Sequence, residues 1–502
     1  MDPVDPQVNR FLGGLGSDPE TGAPNFWGSV DSRKSREKAS NGGGEDFPPP
    51  HVAADGTYDP NADLDWMGSS CWAPRKVGKT ACDAKSFLES RECLKATFEK
   101  AWQFTSDGMA SKSGRVFGSK PLGNAAGVRN AVKQTMQQWY PMLHWIFVYY
   151  SCIGSETNGK VHGISYLGFS QFLEDARLVL DPAQPNKPVA RHAKPRGEDG
   201  FDLLWVTVNS TAVMRSEFDS GGSKGALSRT EFLELLVRAA IDEKSVDEMH
   251  QFVQELLEDL LSILSRHPHA PTILHNPDGF RSTYCYRKEV CAVLDHHRKT
   301  LLSLFTVYCA GGKGQDGLGQ SSLLGPDEWV VMLSELGFVK ELTYRRIMVM
   351  FAQSRMITID ENERKSWAGQ LNQLTFEGFL EAIVRLALVK SLPTDKEMHR
   401  AGYYYPGEFM GALLDKGLPM YNAWQERAVR TQRSGRGDAI WRRLDMLILL
   451  IVSVVQYGVE KQPGGATLLV RGTPDEILTL KEVEQYHKKP TPYVFEAQGE
   501  VS

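Results

Sequence analysis

Apolar residues recur every three to four positions from about residue 137 to 390, and that period predicts helices. Met249, Phe252, Val253, Leu256, Leu257, Leu260, Leu261 and Leu264 form one such stripe. Asp247 and Glu248 stand at its start, where the helix dipole favours acids. Residues 286–309 carry a second stripe. No stretch alternates with period 2 far enough to suggest a large sheet, so the expected class is mainly all-α. The long apolar run Met446–Val455 covers 10 residues. A membrane span needs about 20, so a buried helix is predicted there. Residues 1–80 are rich in Gly, Pro, Asp and Ser, with Gly42–Gly44 and Pro48–Pro50, and predict an extended or disordered arm. Pro-rich 181–195 predicts a loop, and 461–502 a tail.

The helical region repeats. Leu143, Phe147 and Tyr150 align with Leu301, Phe305 and Tyr308. Residues 169–179 (FSQFLEDARLV) align with 329–339 (WVVMLSELGFV). Leu227, Phe232, Leu233, Glu234, Val237, Arg238 and Ala240 align with Leu374, Phe379, Leu380, Glu381, Val384, Arg385 and Ala387. The same order of blocks occurs twice. Each copy reads helix, loop, helix, linker, helix, loop, helix. Ser228 with Glu231, and Thr375 ahead of Phe379, mark second-helix starts. A paired helix-loop-helix is the plan of an EF-hand lobe, so two EF-hand-like lobes are expected.

Calcium needs oxygen ligands at loop positions 1, 3 and 5, Gly at 6 and Glu at 12. A frame opening at Ser220 places Gly225 at 6, Leu227 at 8 and Glu231 at 12. Its ligand positions hold Ser220, Gly222 and Lys224, and the lysine repels a dication. Opening at Asp219 restores one carboxylate and loses both Gly and Glu. Glu328 closes a Gly/Ser-rich loop, while Gly168 and Gly378 occupy the other two closing positions. No metal or other cofactor is expected. Asp219, Ser220 and Glu231 are the weak calcium candidates.

Charge is uneven around a net of −5. Residues 1–70 hold 12 acidic and 5 basic residues, whereas 75–133 hold 12 basic and 5 acidic. Arg427, Arg430, Arg433 and Arg436, followed by Arg442 and Arg443, form a second basic cluster. Such clusters suit an acidic protein partner. The arm's Trp27, Trp66 and Trp72, with Phe11, Phe26 and Phe47, are candidate anchors for a partner's pockets. The balanced global charge gives no argument for nucleic acid or membrane. Seven cysteines without a CxxC pair fit a reducing compartment and exclude a disulfide scaffold. The N-terminus shows no basic or apolar secretory region, so an intracellular protein is expected. Gly78-Lys79-Thr80 lacks the earlier glycine of a phosphate loop, because Ala73 stands there. His267, His269, His275, His296 and His297 have no Cys or carboxylate at ligand spacing. No enzyme motif and no small-molecule substrate site is apparent.

The stretches 327–339 (DEWVVMLSELGFV), 353–364 (QSRMITIDENER) and 374–394 (LTFEGFLEAIVRLALVKSLPT), echoed at 169–179 and 227–240, resemble the EF-hand-like, flagella-associated proteins of algae and other ciliated protists. The resemblance covers roughly half the chain. It implies a structural, non-catalytic protein of the ciliary or flagellar axoneme, in contact with tubulin of the microtubule doublet or other axonemal proteins. The first lobe departs most, at its 181–200 insertion and in 203–214. The expected layout is arm 1–80, basic linker or helical segment 81–136, first lobe 137–243, connecting helix and loop 244–283, second lobe 284–391, C-terminal helices 392–460 and tail 461–502. The alternative is a calcium-responsive axonemal regulator.

Overall fold

The computed structural model describes residues 65–77, 84–110, 125–154, 161–179, 198–215, 225–240, 248–309, 323–360, 373–433, 438–457, 459–461, 467–469 and 477–490. They are mainly helical, as the 3.6-residue period requires. The chain forms two compact units. The first takes residues 1–66, 75–278 and 356–372; the second takes 67–74, 279–355 and 373–502.

In the first unit, α1 (Arg91–Ala110) and α2 (Ala125–Ser151) lead into β1 (Ile164–Ser165) and α3 (Tyr166–Asp175). Next come α4 (Glu198–Arg215), β2 (Ala226–Leu227), α5 (Arg229–Ala240) and α6 (Met249–Leu264). β1 and β2 are antiparallel, with Ile164 opposite Leu227. The stripe on α6 is as read, with Met249, Val253, Leu256, Leu257, Leu260 and Leu264 buried. α6 packs along α2, and α1 packs along α5. Residues 357–360 also belong here. Arg229 donates to the Thr358 carbonyl, the Ile357 N–H donates to Glu89, and Lys100 pairs with Asp360 at 3.1 Å.

The second unit opens its long helices with α7 (Lys288–His296) and α8 (Arg298–Cys309). α9 (Pro326–Glu335), α10 (Tyr344–Gln353) and α11 (Phe376–Val389) follow. A bridge between Leu324 and Leu374 joins the two loops. α12 (Asp395–Ala401), α13 (Pro406–Asp415), α14 (Leu418–Arg433), α15 (Ile440–Tyr457), the hairpin β3 (Val459–Lys461) and β4 (Thr467–Leu469), and α16 (Leu480–Lys488) complete it. α15 packs on α11, and α16 on α8.

The two bridges fall at positions that the sequence repeat makes equivalent, and so do the core contacts. Phe147 meets Phe232 at 6.0 Å between centroids, and Phe305 meets Phe379 at 5.5 Å. The Tyr150 hydroxyl donates to Asp175 at 2.9 Å, and that of Tyr308 to Glu335 at 2.6 Å.

Four sequence boundaries are corrected. Residues 65–77 are not arm: Asp65–Ser69 and Pro74–Val77 are short helices, and Met67 and Trp72 are fully buried. The first lobe's opening helix starts at Ala125, well before 137. Residues 286–309 are two helices, because the chain turns at His297, whose ring is buried against Asp445. The tail contains α16, which a Thr479–Glu482 capping box starts and Val483 and Tyr486 anchor. The apolar run Met446–Val455 lies within α15 and is almost wholly buried. No helix among the described residues is long and apolar enough to cross a membrane.

Because Phe232 and Phe379 occupy matching core positions, Phe232→Ala and Phe379→Ala are each expected to cost about 3–5 kcal/mol. Urea unfolding monitored by circular dichroism checks this. A near-neutral result at either position contradicts the equivalence.

Candidate functional site

The chemistry of each lobe would lie where its loops meet the second helices. Ser165, the N-cap of α3, accepts from Gly168 N–H at 3.1 Å, and Thr375, the N-cap of α11, accepts from Gly378 N–H at 3.2 Å. At α5 the cap is reciprocal. The Ser228 N–H and hydroxyl both donate to Glu231 Oε2, at 2.6 and 2.8 Å. At α9, Gly325 offers no hydroxyl, and Glu328 Oε2 accepts the Gly325 N–H at 2.6 Å. Both acidic closing residues therefore bond back onto their own helix starts.

The two glycine closures are steric. A Cβ on Gly168 would stand 2.5 Å from the Tyr150 carbonyl oxygen, at the end of α2. A Cβ on Gly378 would stand 3.1 Å from Leu374 and 3.4 Å from the Ser354 carbonyl. A metal-binding glutamate does not fit at Gly168 without backbone movement. Asp219 and Ser220 lie outside the described residues; Glu231 is the described member of that candidate set, and it is buried. Among the described residues no group of three or more His, Cys, Asp or Glu is placed to hold a metal.

Behind the loops lie buried ion pairs. Glu234 binds Arg238 at 2.6 Å on α5, and Glu381 binds Arg385 at 2.6 Å on α11. Glu381 also takes Arg281 at 3.0 Å, with both side chains fully buried. Arg281 sits in a π-helical turn, Arg281–Cys285, and also donates to the Arg355 carbonyl. The Arg385 guanidinium lies 3.8 Å from the Phe280 ring centre. Burial pushes the Arg385 pKa down, against the charge of Glu381. Glu234/Arg238 and Glu381/Arg385 were visible as repeat matches; nothing in the sequence marked Arg281 as the further partner of Glu381.

The predicted docking residues separate into used and exposed. Trp72 packs edge-on against Tyr286 at 5.6 Å and is fully buried, so it is a core residue and not a partner anchor. Trp66 is half-buried. Trp27 and Arg436 lie outside the described residues, and Arg433 ends α14. Arg427 and Arg430 are exposed, in pairs with Glu397 and Glu426 at 3.3 and 3.2 Å. Such exposed pairs are worth roughly 0–1 kcal/mol and are easily exchanged. Arg442 and Arg443 do not extend this patch. Arg442 grips Asp395 and Asp445, and buried Arg443 donates to the Ala387 and Lys390 carbonyls at the end of α11. Burial pushes Arg443 down to about 10, so it stays charged at neutral pH. In the 75–133 zone, Arg75 is buried and Lys133 pairs with Glu99, while Lys85, Arg91 and Lys95 are exposed.

Three of the described histidines each pair with one carboxylate. His267 meets Asp175 at 3.4 Å, His297 meets Asp445 at 2.8 Å and His487 meets Glu335 at 2.9 Å. Burial pushes Asp175 up, but hydrogen bonds from His267, Tyr150 and Gln171 outweigh it and hold the carboxyl below its ordinary value. At Asp445 burial likewise pushes the carboxyl up, but His297 and Arg442 outweigh it and hold it below its ordinary value.

No family model, curated protein or solved structure matches this chain.

Glu231→Ala and Glu328→Ala are each expected to cost about 1 kcal/mol of stability, as lost helix caps, in urea titrations. A change several-fold larger would mean that the glutamates do more than cap. The depressed carboxyls add a pH dependence. Their stabilisation is complete above the ordinary aspartate value of 3.8 and is lost as pH falls through their lower folded values. The urea midpoint should therefore fall on acidification below about pH 4, and Asp445→Asn should flatten that fall. An unchanged slope in Asp445→Asn would contradict the assignment.

Proposed function

We propose that this chain is a non-catalytic scaffold protein of the ciliary or flagellar axoneme. Two EF-hand-like lobes serve as rigid packing units and no longer as calcium switches. The observation that carries the reading is the fate of the loop-closing residues. Glu231 and Glu328 are bound to their own helix starts, and Gly168 abuts the Tyr150 carbonyl. The loop bridges Ile164–Leu227 and Leu324–Leu374 support the EF-hand-like reading, because a paired lobe joins its loops in this way. The axonemal setting is supported by the sequence resemblance of 327–339, 353–364 and 374–394.

The lobes' first and last helices are covered by α6 and α1 in one unit and by α16 and α15 in the other. Docking then falls to outer surfaces. Lys85, Arg91 and Lys95 in the first unit and Arg427 and Arg430 in the second are exposed and suit the acidic surface of tubulin or of another axonemal protein. Several modest contacts in one chain raise one another's effective concentration. The calcium-responsive alternative requires Glu231 to leave Ser228.

The purified chain should co-sediment with microtubules or demembranated axonemes, and binding should weaken severalfold as salt rises from about 50 to 300 mM. Arg427→Glu with Arg430→Glu should reduce it at low salt. A chain that remains in the supernatant with both, at low salt, contradicts the reading.

A further inference from the structure

α16 covers the second lobe from the far end of the chain, and its hold is narrow. A Thr479–Glu482 capping box starts it, so the helix satisfies its own first turn. Val483 and Tyr486, one turn apart, are its buried residues, and Leu478 just before it is fully buried. The remaining residues of 477–490 are half-buried or exposed. In the first unit α6 packs along α2 with Met249, Val253, Leu256, Leu257, Leu260 and Leu264 all buried. The cover of the first lobe is therefore part of its core, whereas that of the second lobe rests on a few side chains.

The polar contacts of α16 gather at its two ends. At its start, the Leu478 N–H donates to Thr300 Oγ1 at 2.9 Å and the Ser303 hydroxyl donates to the Leu478 carbonyl at 3.2 Å, both from α8. A longer contact, Gln456 to Glu482 at 3.4 Å, touches α15. At its end, the Tyr486 hydroxyl donates to the Glu335 carbonyl at 2.5 Å, and His487 Nδ1 meets Glu335 Oε2 at 2.9 Å. The same Oε2 accepts from the Tyr308 hydroxyl at 2.6 Å, and the Tyr308 and His487 rings pack edge-on at 4.9 Å. The sequence repeat makes Tyr308 and Glu335 equivalent to Tyr150 and Asp175. There too a histidine from outside the lobe, His267, meets the carboxylate. Two histidines from unrelated parts of the chain thus read one kind of tyrosine–carboxylate pair. The pair belongs to the lobe; the element that reads it does not.

We propose that α8 and the end of α9 form a docking site for a short amphipathic helix, that α16 is its internal occupant, and that a helix of a partner protein displaces it. The ligand's chemistry follows from α16 itself. It carries apolar side chains at the spacing of Leu478, Val483 and Tyr486, an aromatic hydroxyl for the Glu335 carbonyl and a following imidazole for the Glu335 carboxylate. A helix bound in this way seats a few anchors and leaves its other face to water, as α16 does. Tethering gives α16 a high effective concentration, so the site is closed in the isolated chain and opens to a competitor that other contacts hold close. The inference goes beyond the scaffold reading and does not depend on the axonemal setting.

The test uses the full chain. In hydrogen exchange, α16 should exchange about tenfold or more faster than α15, because it opens without the lobe. Tyr486→Ala should open the site further while circular dichroism keeps the helical signal of the rest of the chain. A fluorescent peptide of residues 477–490 should then bind the Tyr486→Ala chain about tenfold or more tightly than the wild type, in which the tethered α16 competes. The same peptide carrying Tyr486→Ala should bind neither, and adding Glu335→Ala to the opened chain should remove the gain. Three results each overturn the proposal: exchange of α16 in step with α15, loss of the lobe's helical signal in Tyr486→Ala, or equal peptide binding by the wild type and the opened chain. A gain that survives Glu335→Ala or the altered peptide overturns it as well.

Discussion

Each lobe is held shut by a main-chain bridge between its two loops. Ile164 faces Leu227 in one and Leu324 faces Leu374 in the other, and all four side chains are buried. Loop backbone taken from water must be paired, and the bridge supplies partners at the most enclosed point of the loop. In the second lobe the pairing is reciprocal, with Leu324 N–H to Leu374 O at 2.9 Å and Leu374 N–H to Leu324 O at 2.7 Å. Once the bridge is set, the residues just after it must start the second helices. Ser165, Ser228, Thr375 and Gly325 with Glu328 do so. The closing residues then lie against helix starts or carbonyls and not around an open centre.

The support behind the bridges is ionic as well as apolar. Glu381 is buried between Arg281 and Arg385, and Glu234 beside Arg238. Burying charge is costly unless it is paired and its remaining donors are satisfied. Here the arginines reach backbone carbonyls: Arg281 that of Arg355, and Arg385 that of Gln353. Both carbonyls lie near the end of α10, so the network also ends that helix. Arg443 does the same for α11. The arginines work as fixed forks, a role that lysine's point charge would fill poorly.

Much of this was legible in sequence because it is local or repeated. The α6 stripe, the cap residues and the paired Phe147/Phe232 and Phe305/Phe379 positions follow from periodicity and self-alignment. The helical class followed with them. What escaped is what tertiary context decides. Trp72 lies in a polar, glycine-rich stretch, and its packing against Tyr286, far along the chain, belongs to the core. Arg442 and Arg443 read as a continuation of a basic surface; their fates depend on Asp395 and on the carbonyls ending α11. α16 was hidden by the Pro/Gly-rich residues around it, although Thr479 and Glu482 carried its start signal. The two units also reach similar support by different chain orders. α1 and α6 flank the first lobe in sequence, whereas α15 and α16 both follow the second, so self-alignment could not reveal them.

A scaffold fits a molecule whose loops are closed by their own groups and whose lobe helices are covered by its own chain. The central claim is that closure. Isothermal titration of calcium into the full chain tests it most directly. The account expects no heat beyond dilution up to millimolar calcium. A micromolar site that disappears in Glu231→Ala would contradict it.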